Sequence, residues 1–294
     1  MTTKSPKILV IVGPTASGKT SLAKKIAKNF NCELISADSR QIYKEMDIGT
    51  AKDKSAEQFL IDIIEPDKQF SVAEFQEMAT KKIKEIIARG HLPIIVGGTG
   101  LYIDALIYGY ILPPIKKESI ELRQKLEKLS TEQLIKKLKK IDPESADKID
   151  TKNKRRIFRA LEVSILNQRP FSKLKKKTKS PFDFLTIGID VARKKLYQKI
   201  DQRVDEMVKN GLVGEVKSIS GKYGKNAYGL NTICYKEIIE YLDGKIGLEE
   251  AIQKIKNNTH SYARRQLTWF RKNKDINWIR NFAQTKILIE KFLK

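Results

Sequence analysis

The chain has 294 residues, 40% of them hydrophobic and 8% aromatic, and a formal net charge of +23. That length holds one large domain or two modest ones, each able to bury a core. No apolar run approaches the ~18 residues of a membrane span and no signal-peptide pattern opens the chain, so a membrane partner is not expected. Cys32 and Cys234 are the only cysteines, and His91 and His260 the only histidines. A disulfide framework and a cysteine- or histidine-based metal site are thereby excluded, and a reducing cytoplasm is the expected location.

The charge is unevenly placed. Residues 115–180 carry 21 basic and 9 acidic side chains, and residues 254–294 carry 11 and 2. Residues 1–114 are nearly neutral with 15 and 13, and residues 181–253 balance at 11 and 11. A uniformly lysine-rich surface does not leave two neutral segments. Two concentrated basic regions are the footprint of a polyanion, and nucleic acid is the expected partner.

In chain order, the apolar run at 7–12 predicts a strand, and Gly13-Pro14-Thr15-Ala16-Ser17-Gly18-Lys19-Thr20 follows it. These eight residues fit the phosphate-loop pattern G-x-x-x-x-G-K-[ST], and a helical pattern over 19–30 completes the strand–loop–helix context that confirms such a match. The glycines let successive N–H groups face one centre. Lys19 and the helix N-terminus add positive charge for a phosphate, and the Thr20 hydroxyl can ligate Mg²⁺. The loop predicts a bound phosphate and leaves the reaction open.

Further strands are predicted at 33–37, 59–64 and 92–96, and a helix at 72–89, which is the rhythm of a parallel, doubly wound α/β sheet. Ligands of such sheets bind at the carboxyl ends of the strands. Asp38 lies just past the second strand, with Ser39, Arg40 and Gln41 behind it. It can act as a general base, as a partner of Mg²⁺ through water, or as an ordinary turn aspartate. Gly97-Gly98-Thr99 ends a later strand, where the glycines allow close approach of a ligand or simply make a tight turn.

Pro113-Pro114 closes this region. Helices with lysine-rich faces are predicted at 120–129, 131–140 and 153–166, followed by a basic run at 173–179. A strand at 184–191 then returns, so 115–180 reads as a helical insertion into the sheet formed by 1–114 and 181–294. The remainder predicts helices at 196–210, 213–220, 232–242, 248–272 and 285–292. Arg203 lies on the first of these, where it can clamp a diphosphate or belong to a solvated face. Arginine alternates with aromatics in Tyr262-Ala263-Arg264-Arg265-Gln266-Leu267-Thr268-Trp269-Phe270-Arg271. The rings are expected inside and the arginines presented to phosphates or unpaired bases.

Together these stretches resemble the tRNA dimethylallyltransferase family, bacterial type. The resemblance adds Asp47-Ile48-Gly49-Thr50-Ala51-Lys52, Arg159-Ala160-Leu161-Glu162-Val163 and Tyr235-Lys236-Glu237, and it runs nearly the whole chain in family order. Two departures stand out: Glu57-Gln58 where the family often has a histidine pair, and Cys234 where glycine is usual before the tyrosine. No zinc finger of the kind found in eukaryotic relatives is present in this sequence.

The resemblance implies transfer of a dimethylallyl group from dimethylallyl diphosphate to the N6 amine of the adenosine on the 3′ side of the anticodon. It assigns the proton of that amine to Asp38, positioning to Thr99, and the diphosphate to residues 13–20 with Arg203 and Mg²⁺. Asp38, Ser39, Arg40, Gln41 and Thr99 would line a channel for the flipped base. Arg123, Arg159, Tyr235 and Lys236 would hold the anticodon stem-loop, as would Arg264, Arg265, Gln266, Thr268 and Trp269. The basic insertion would clamp the RNA backbone, and a monomer suffices. Three other readings share the phosphate loop: a small-molecule kinase, an enzyme prenylating free adenine nucleotides, and a nucleotide-dependent RNA-binding switch. The first two leave the basic insertion and tail without a purpose, and the third needs a water-activating base that is not evident.

Overall fold

The computed structural model describes residues 5–55, 57–110, 118–174 and 180–294, with side chains from residue 122 onward in the helix starting at Glu118. The expected boundary at Pro113-Pro114 and most of the basic run at 173–179 lie outside these residues. The described residues cluster into two compact units, one of residues 1–107 with 181–294 and one of residues 108–180.

The larger unit is built on a six-stranded parallel sheet. Its strands are β1 (Lys7–Val12), β2 (Cys32–Ser36), β3 (Gln58–Phe59), β4 (Leu92–Gly97), β5 (Asp183–Ile189) and β6 (Asn277–Ile279), in spatial order β3-β2-β4-β1-β5-β6. β1 lies between β4 and β5, with Val12 opposite Gly97 on one side and Gly188 on the other. The period of two divides its side chains between two cores. Ile8, Val10 and Val12 meet α2 (Val72–Ala88) through Phe75, Ile83 and Ile86. Leu9 and Ile11 meet α1 (Lys19–Ala27) through Leu22, Ala23 and Ile26. Each buried side chain of this size contributes about 1.5–3 kcal/mol relative to exposure, so the central strand is firmly fixed.

The caps follow the sequence. Ser71 accepts from the Glu74 N–H while Glu74 reaches back to the Ser71 N–H at 2.7 Å, which closes a capping box at the start of α2. After β4 comes α3 (Gly100–Ile107), and after β5 come α9 (Arg193–Lys209), α10 (Leu212–Tyr223), α11 (Tyr235–Leu242) and α12 (Leu248–Phe270). These last four share a third core with Ala16 of the phosphate loop and with Ile42, Tyr43 and Met46 beyond β2. The chain closes on α13 (Phe282–Leu293), whose Ile289 packs into the α1 side of the sheet.

Among the described residues the smaller unit has five helices: α4 (Glu118–Glu127), α5 (Thr131–Ile141), α6 (Pro143–Lys148), α7 (Lys154–Asn167) and α8 (Phe171–Leu174). Its core is a modest cluster around Leu126, Leu134, Leu138, Ile157 and Leu161. Two buried carboxylates supplement it. Asp142 caps α6 by accepting from Ser145 N–H at 3.1 Å and also accepts from Ser172 N–H at 2.8 Å. Burial alone would raise its pKa, but these serine contacts outweigh burial and hold it at about 2. Glu162 accepts from Arg123 Nε and from Arg159 Nη1, the latter at 2.5 Å.

The helices α3, α6 and α8 have no counterpart in the sequence expectation, several element ends shift by a few residues, and three further differences stand out. The strand expected at 59–64 stops at Phe59, because Leu60 and Asp62 adopt left-handed φ values of 65° and 55°. The segment beyond bonds instead to the turn after β2, with Ile63 N–H donating to Ile42 O at 2.8 Å. α1 ends at Ala27 rather than continuing through Phe30. β6 has no counterpart among the predicted strands, since three residues are too few for an alternating pattern.

Candidate active site

A cavity of about 460 Å³ opens at the carboxyl ends of β1, β2 and β4. One wall is the phosphate loop. Gly18 precedes α1 with φ 92°, a left-handed conformation that suits glycine, and the loop turns there into the helix. Ser17 Oγ is buried with no hydrogen-bond partner, a donor left available inside the loop. Lys19 donates from Nζ to Pro14 O at 2.7 Å, and Thr20 sits beside it on the cavity wall. Burial lowers the Lys19 pKa to about 8, with Asp38 opposing the shift and Arg203 adding to it. These three charged groups therefore share one electrostatic environment.

Asp38 also lines the cavity, and its Oδ1 accepts from Arg40 N–H at 2.9 Å. The turn-aspartate geometry is realised, with the carboxylate still facing the cavity. Ser39 N–H donates to Thr99 Oγ1 at 3.0 Å, and Thr99 N–H donates to Ala37 O at 3.2 Å. The ends of β2 and β4 are thus tied together around Asp38. Tyr262 of α12 hydrogen-bonds to Thr99, and burial, reinforced by the Asp38 charge, pushes its phenol up to about 12. It is a neutral hydroxyl at neutral pH.

Arg203 enters from α9 beside Ile200, Val204 and Met207, a helical spacing that turns one face of α9 to the cavity. Burial lowers the Arg203 pKa, countered by Glu206. Ile233 and Cys234 add apolar surface next to this face. The cavity therefore pairs a cationic, hydroxyl-lined wall with an apolar one. Among the described residues no three His, Cys, Asp or Glu side chains cluster as a metal site. The oxygen donors in the cavity lining of a type that suits a divalent ion include Thr20 and Asp38.

Of the residues expected to face RNA, Ser39, Arg40, Gln41, Lys236 and Arg265 line this same cavity. Arg265 also lies over the Tyr262 ring, 5.8 Å from its centroid. Arg264 and Thr268 are exposed on α12, Arg264 donating to Tyr197 Oη at 3.0 Å. Trp269 is 37% exposed, and its indole donates to Asp104 at 3.1 Å. Arg123 and Arg159 lie in the smaller unit with their guanidinium groups on Glu162.

Two expectations need correction. Tyr235 is 0% exposed and donates to Glu215 Oε1 at 2.6 Å, so it has no surface to offer RNA. Gln266 is 6% exposed, and both ends of its carboxamide are bonded inside the protein. Tyr235 lies on the inward face of α11 and Gln266 on that of α12, which the mixed composition of these segments conceals.

Glu215 escaped the sequence reading altogether. Its carboxylate accepts from three successive backbone N–H groups, Asp47 at 2.9 Å, Ile48 at 2.7 Å and Gly49 at 3.0 Å, besides the Tyr235 hydroxyl. It pins the segment whose Gly49, Thr50 and Ala51 form part of the cavity wall. Gln41 holds the other side of that segment, donating from Nε2 to Thr50 O at 3.2 Å. A lone glutamate in the first turn of a helix carries no distinguishing local signal.

A parallel sheet with a phosphate loop after its central strand, and a carboxylate and a threonine at the neighbouring strand ends, defines a phosphate-binding α/β protein. Comparison with known proteins narrows this. Residues 41–273 match the family described as IPP transferase, and residues 6–61 match isopentenyl transferase. The chain is 46% identical over 307 residues to the tRNA dimethylallyltransferase of Thermoanaerobacter pseudethanolicus, covering 98% of this chain and 97% of the relative. The crystal structure of the full-length tRNA isopentenylpyrophosphate transferase from Bacillus halodurans superposes with a TM-score of 0.73 at 41% identity, covering 99% of this chain and 96% of that one. A eukaryotic dimethylallyltransferase acting on tRNA superposes with a TM-score of 0.80 at 26% identity, covering 98% of this chain and 77% of that one. The chain belongs to the IPP transferase family and is a transferase of that type.

Proposed function

We propose that this protein transfers the dimethylallyl group of dimethylallyl diphosphate to the N6 amine of the adenosine 3′-adjacent to the anticodon in tRNA, releasing diphosphate. The observation that carries this reading is that one cavity joins the phosphate loop and Arg203 to Asp38, with Thr99 tied to the Asp38 segment through Ser39 N–H. A kinase needs the first group, and base alkylation needs both.

In the reaction the bond between the allylic carbon and the diphosphate oxygen breaks, and its electron pair leaves on the diphosphate. Lys19, the phosphate-loop N–H groups and Arg203 stabilise that charge as it builds. Ser17 Oγ, unpartnered in the free protein, is a further donor for it. The N6 lone pair forms the new C–N bond while its proton passes to the Asp38 carboxylate. Thr99 Oγ1, fixed by Ser39 N–H, positions the amine, and Tyr262 supports Thr99 from behind. The apolar side of the cavity at Ile200, Val204 and Ile233 suits a five-carbon hydrocarbon group and keeps water from the allylic centre. The Thr20 hydroxyl would hold Mg²⁺, which when bound would supply additional charge neutralisation.

The adenine reaches this cavity by leaving its stack, past Arg40 and Arg265. The basic helices of residues 108–180 clamp the RNA backbone, and the exposed Arg264 and Thr268 of α12 contribute from the larger unit. The protein works as a monomer in the cytoplasm. No helix among the described residues is long and apolar enough to cross a membrane.

The test is label transfer. Labelled dimethylallyl diphosphate, Mg²⁺ and unmodified tRNA should give label on one adenosine. Asp38→Ala should cut kcat by about 10²–10⁴-fold, the range for removing a general base, while tRNA affinity changes little. Transfer only to free nucleotide, or phosphate release from ATP without prenylation, would overturn the reading.

A further inference from the structure

Gln266 occupies an unusual place. It lies on α12 between Arg265 and Leu267, in the most arginine-rich stretch of the helix, yet it is 6% exposed. Its Oε1 accepts from Thr15 N–H at 2.8 Å, and its Nε2 donates to Gly98 O at 3.0 Å. Thr15 belongs to the phosphate loop, and Gly98 belongs to the strand end that carries Thr99. A side chain at residue 98 would land on this carboxamide, so the glycine there is required by the glutamine's position. From Gly98 the connection continues through Thr99 N–H to Ala37 O and through Ser39 N–H to Thr99 Oγ1, on either side of Asp38.

One side chain therefore bridges the element that cradles the leaving group and the element that holds the proton acceptor. The reacting atoms must meet at ~3–3.5 Å, and displacement by about 1 Å costs on the order of 10²-fold in rate. We infer that Gln266 is a positioning residue that sets the spacing between the diphosphate cradle and the Asp38–Thr99 pair, and is not an RNA contact. The inference rests on the transfer reading for its effect on rate. Its effect on diphosphate binding stands independently.

The amide is suited to the task because it offers one acceptor and one donor on a rigid plane. Without it, the half-buried Thr15 N–H and the buried Gly98 carbonyl lose their partners together, which costs more than a surface contact does. The neighbouring Arg264 provides the contrast. It is exposed, and its guanidinium donates to Tyr197 and Ser261.

The experiment compares Gln266→Met, which keeps size and removes both bonds, with Arg264→Ala. Three quantities are read: affinity for inorganic diphosphate with Mg²⁺, affinity for unmodified tRNA, and kcat for transfer. Gln266→Met should weaken diphosphate binding about tenfold and lower kcat by about 10²-fold, with tRNA affinity within about twofold of wild type. Arg264→Ala should weaken tRNA binding and spare diphosphate. If Gln266→Met is too unstable to purify, Gln266→Glu makes the same distinction. It keeps an acceptor for Thr15 but sets a carboxylate oxygen against the Gly98 carbonyl, so diphosphate affinity should fall with tRNA affinity unchanged. Loss of tRNA affinity with diphosphate binding intact, in either Gln266 variant, would overturn the inference. So would a Gln266→Met enzyme indistinguishable from wild type in all three quantities. A wild-type protein unable to prenylate tRNA would sink the transfer reading alone, because the two binding arms would still report on Gln266.

Discussion

The two units bury polar groups for opposite purposes. In the α/β unit the buried or half-buried Glu215, Gln266 and Thr99 are bonded to backbone amides and carbonyls, and each holds a segment that lines the cavity. In the helical unit Asp142 and Glu162 join helices to one another, supplementing a small apolar core. The first unit is nearly charge-balanced before its tail, whereas the helical segment carries 21 basic side chains against 9 acidic ones. Backbone-bonded polar groups fix positions closely, as chemistry requires. A unit held by ion pairs and a modest core can carry a surplus of like charge on its surface, as a polyanion partner requires.

This contrast can be broken in several ways, and salt offers the largest effect. If the helical unit neutralises about 6–10 phosphates, tRNA affinity should fall roughly 10³–10⁵-fold between about 50 and 200 mM salt. A filter-binding titration would show it, and a shallow slope would remove the reason for assigning RNA to the basic unit.

The next largest effect is on stability. Glu162→Ala leaves Arg123 and Arg159 facing each other without their shared carboxylate, which should cost about 3 kcal/mol by denaturant unfolding. Diphosphate affinity should hardly change. A cost under ~1 kcal/mol would mean that the apolar core alone holds the helices.

pH should separate the units from opposite ends. Asp142 has a depressed pKa of about 2 against an ordinary 3.8, so its stabilisation is fully present above about pH 4 and is lost as pH falls toward 2. The loss is about 2 kcal/mol, readable as acid-induced hydrogen exchange confined to α6 and α8. Lys19 has a pKa lowered to about 8, so it is charged below that pH and neutral above it. Diphosphate affinity of the free enzyme should therefore fall above pH 8, by at most about tenfold per pH unit. A flat profile from pH 7 to 9.5 would place the lysine charge outside the binding step.

The smallest predicted effect concerns Cys234. Its φ of 79° with ψ of −50° is a conformation that non-glycine residues seldom adopt. Cys234→Gly should relieve that strain and raise stability by about 1 kcal/mol, net of the greater flexibility glycine gives the unfolded chain. A lower melting temperature would mean that thiol packing outweighs the strain.

Much of the sheet was legible because its strands are long apolar runs followed by strong signals: the phosphate loop after β1, Asp38 after β2 and two glycines after β4. What escaped is conformational or tertiary. The left-handed residues at 60 and 62 ended β3 where composition favoured continuation. β6 exists because β5 offers it an edge, with Gly188 opposite Trp278. Glu215 and Gln266 are recognisable only from their partners, which lie 166–168 and 168–251 residues away in sequence. The alternation of arginine and aromatic residues around 262–271 suggested rings inside and arginines outside. Phe270 is buried and the arginines are exposed as expected, but Trp269 is exposed as well, and spacing alone did not show to which face the glutamine belonged.

That helix has a consequence for how the gene can vary. Successive residues of an α-helix are ~100° apart, so a single-residue insertion within α12 would rotate everything beyond it by that angle. Placed between Tyr262 and Gln266, such an insertion would swing the carboxamide away from Thr15 and bring a different side chain onto Gly98, while disturbing the outward arginines. α12 should accept many substitutions on its exposed side and almost no change in length. Insertions and deletions among natural variants should therefore collect in the loops before Leu248 and after Phe270, leaving the phase of the helix untouched.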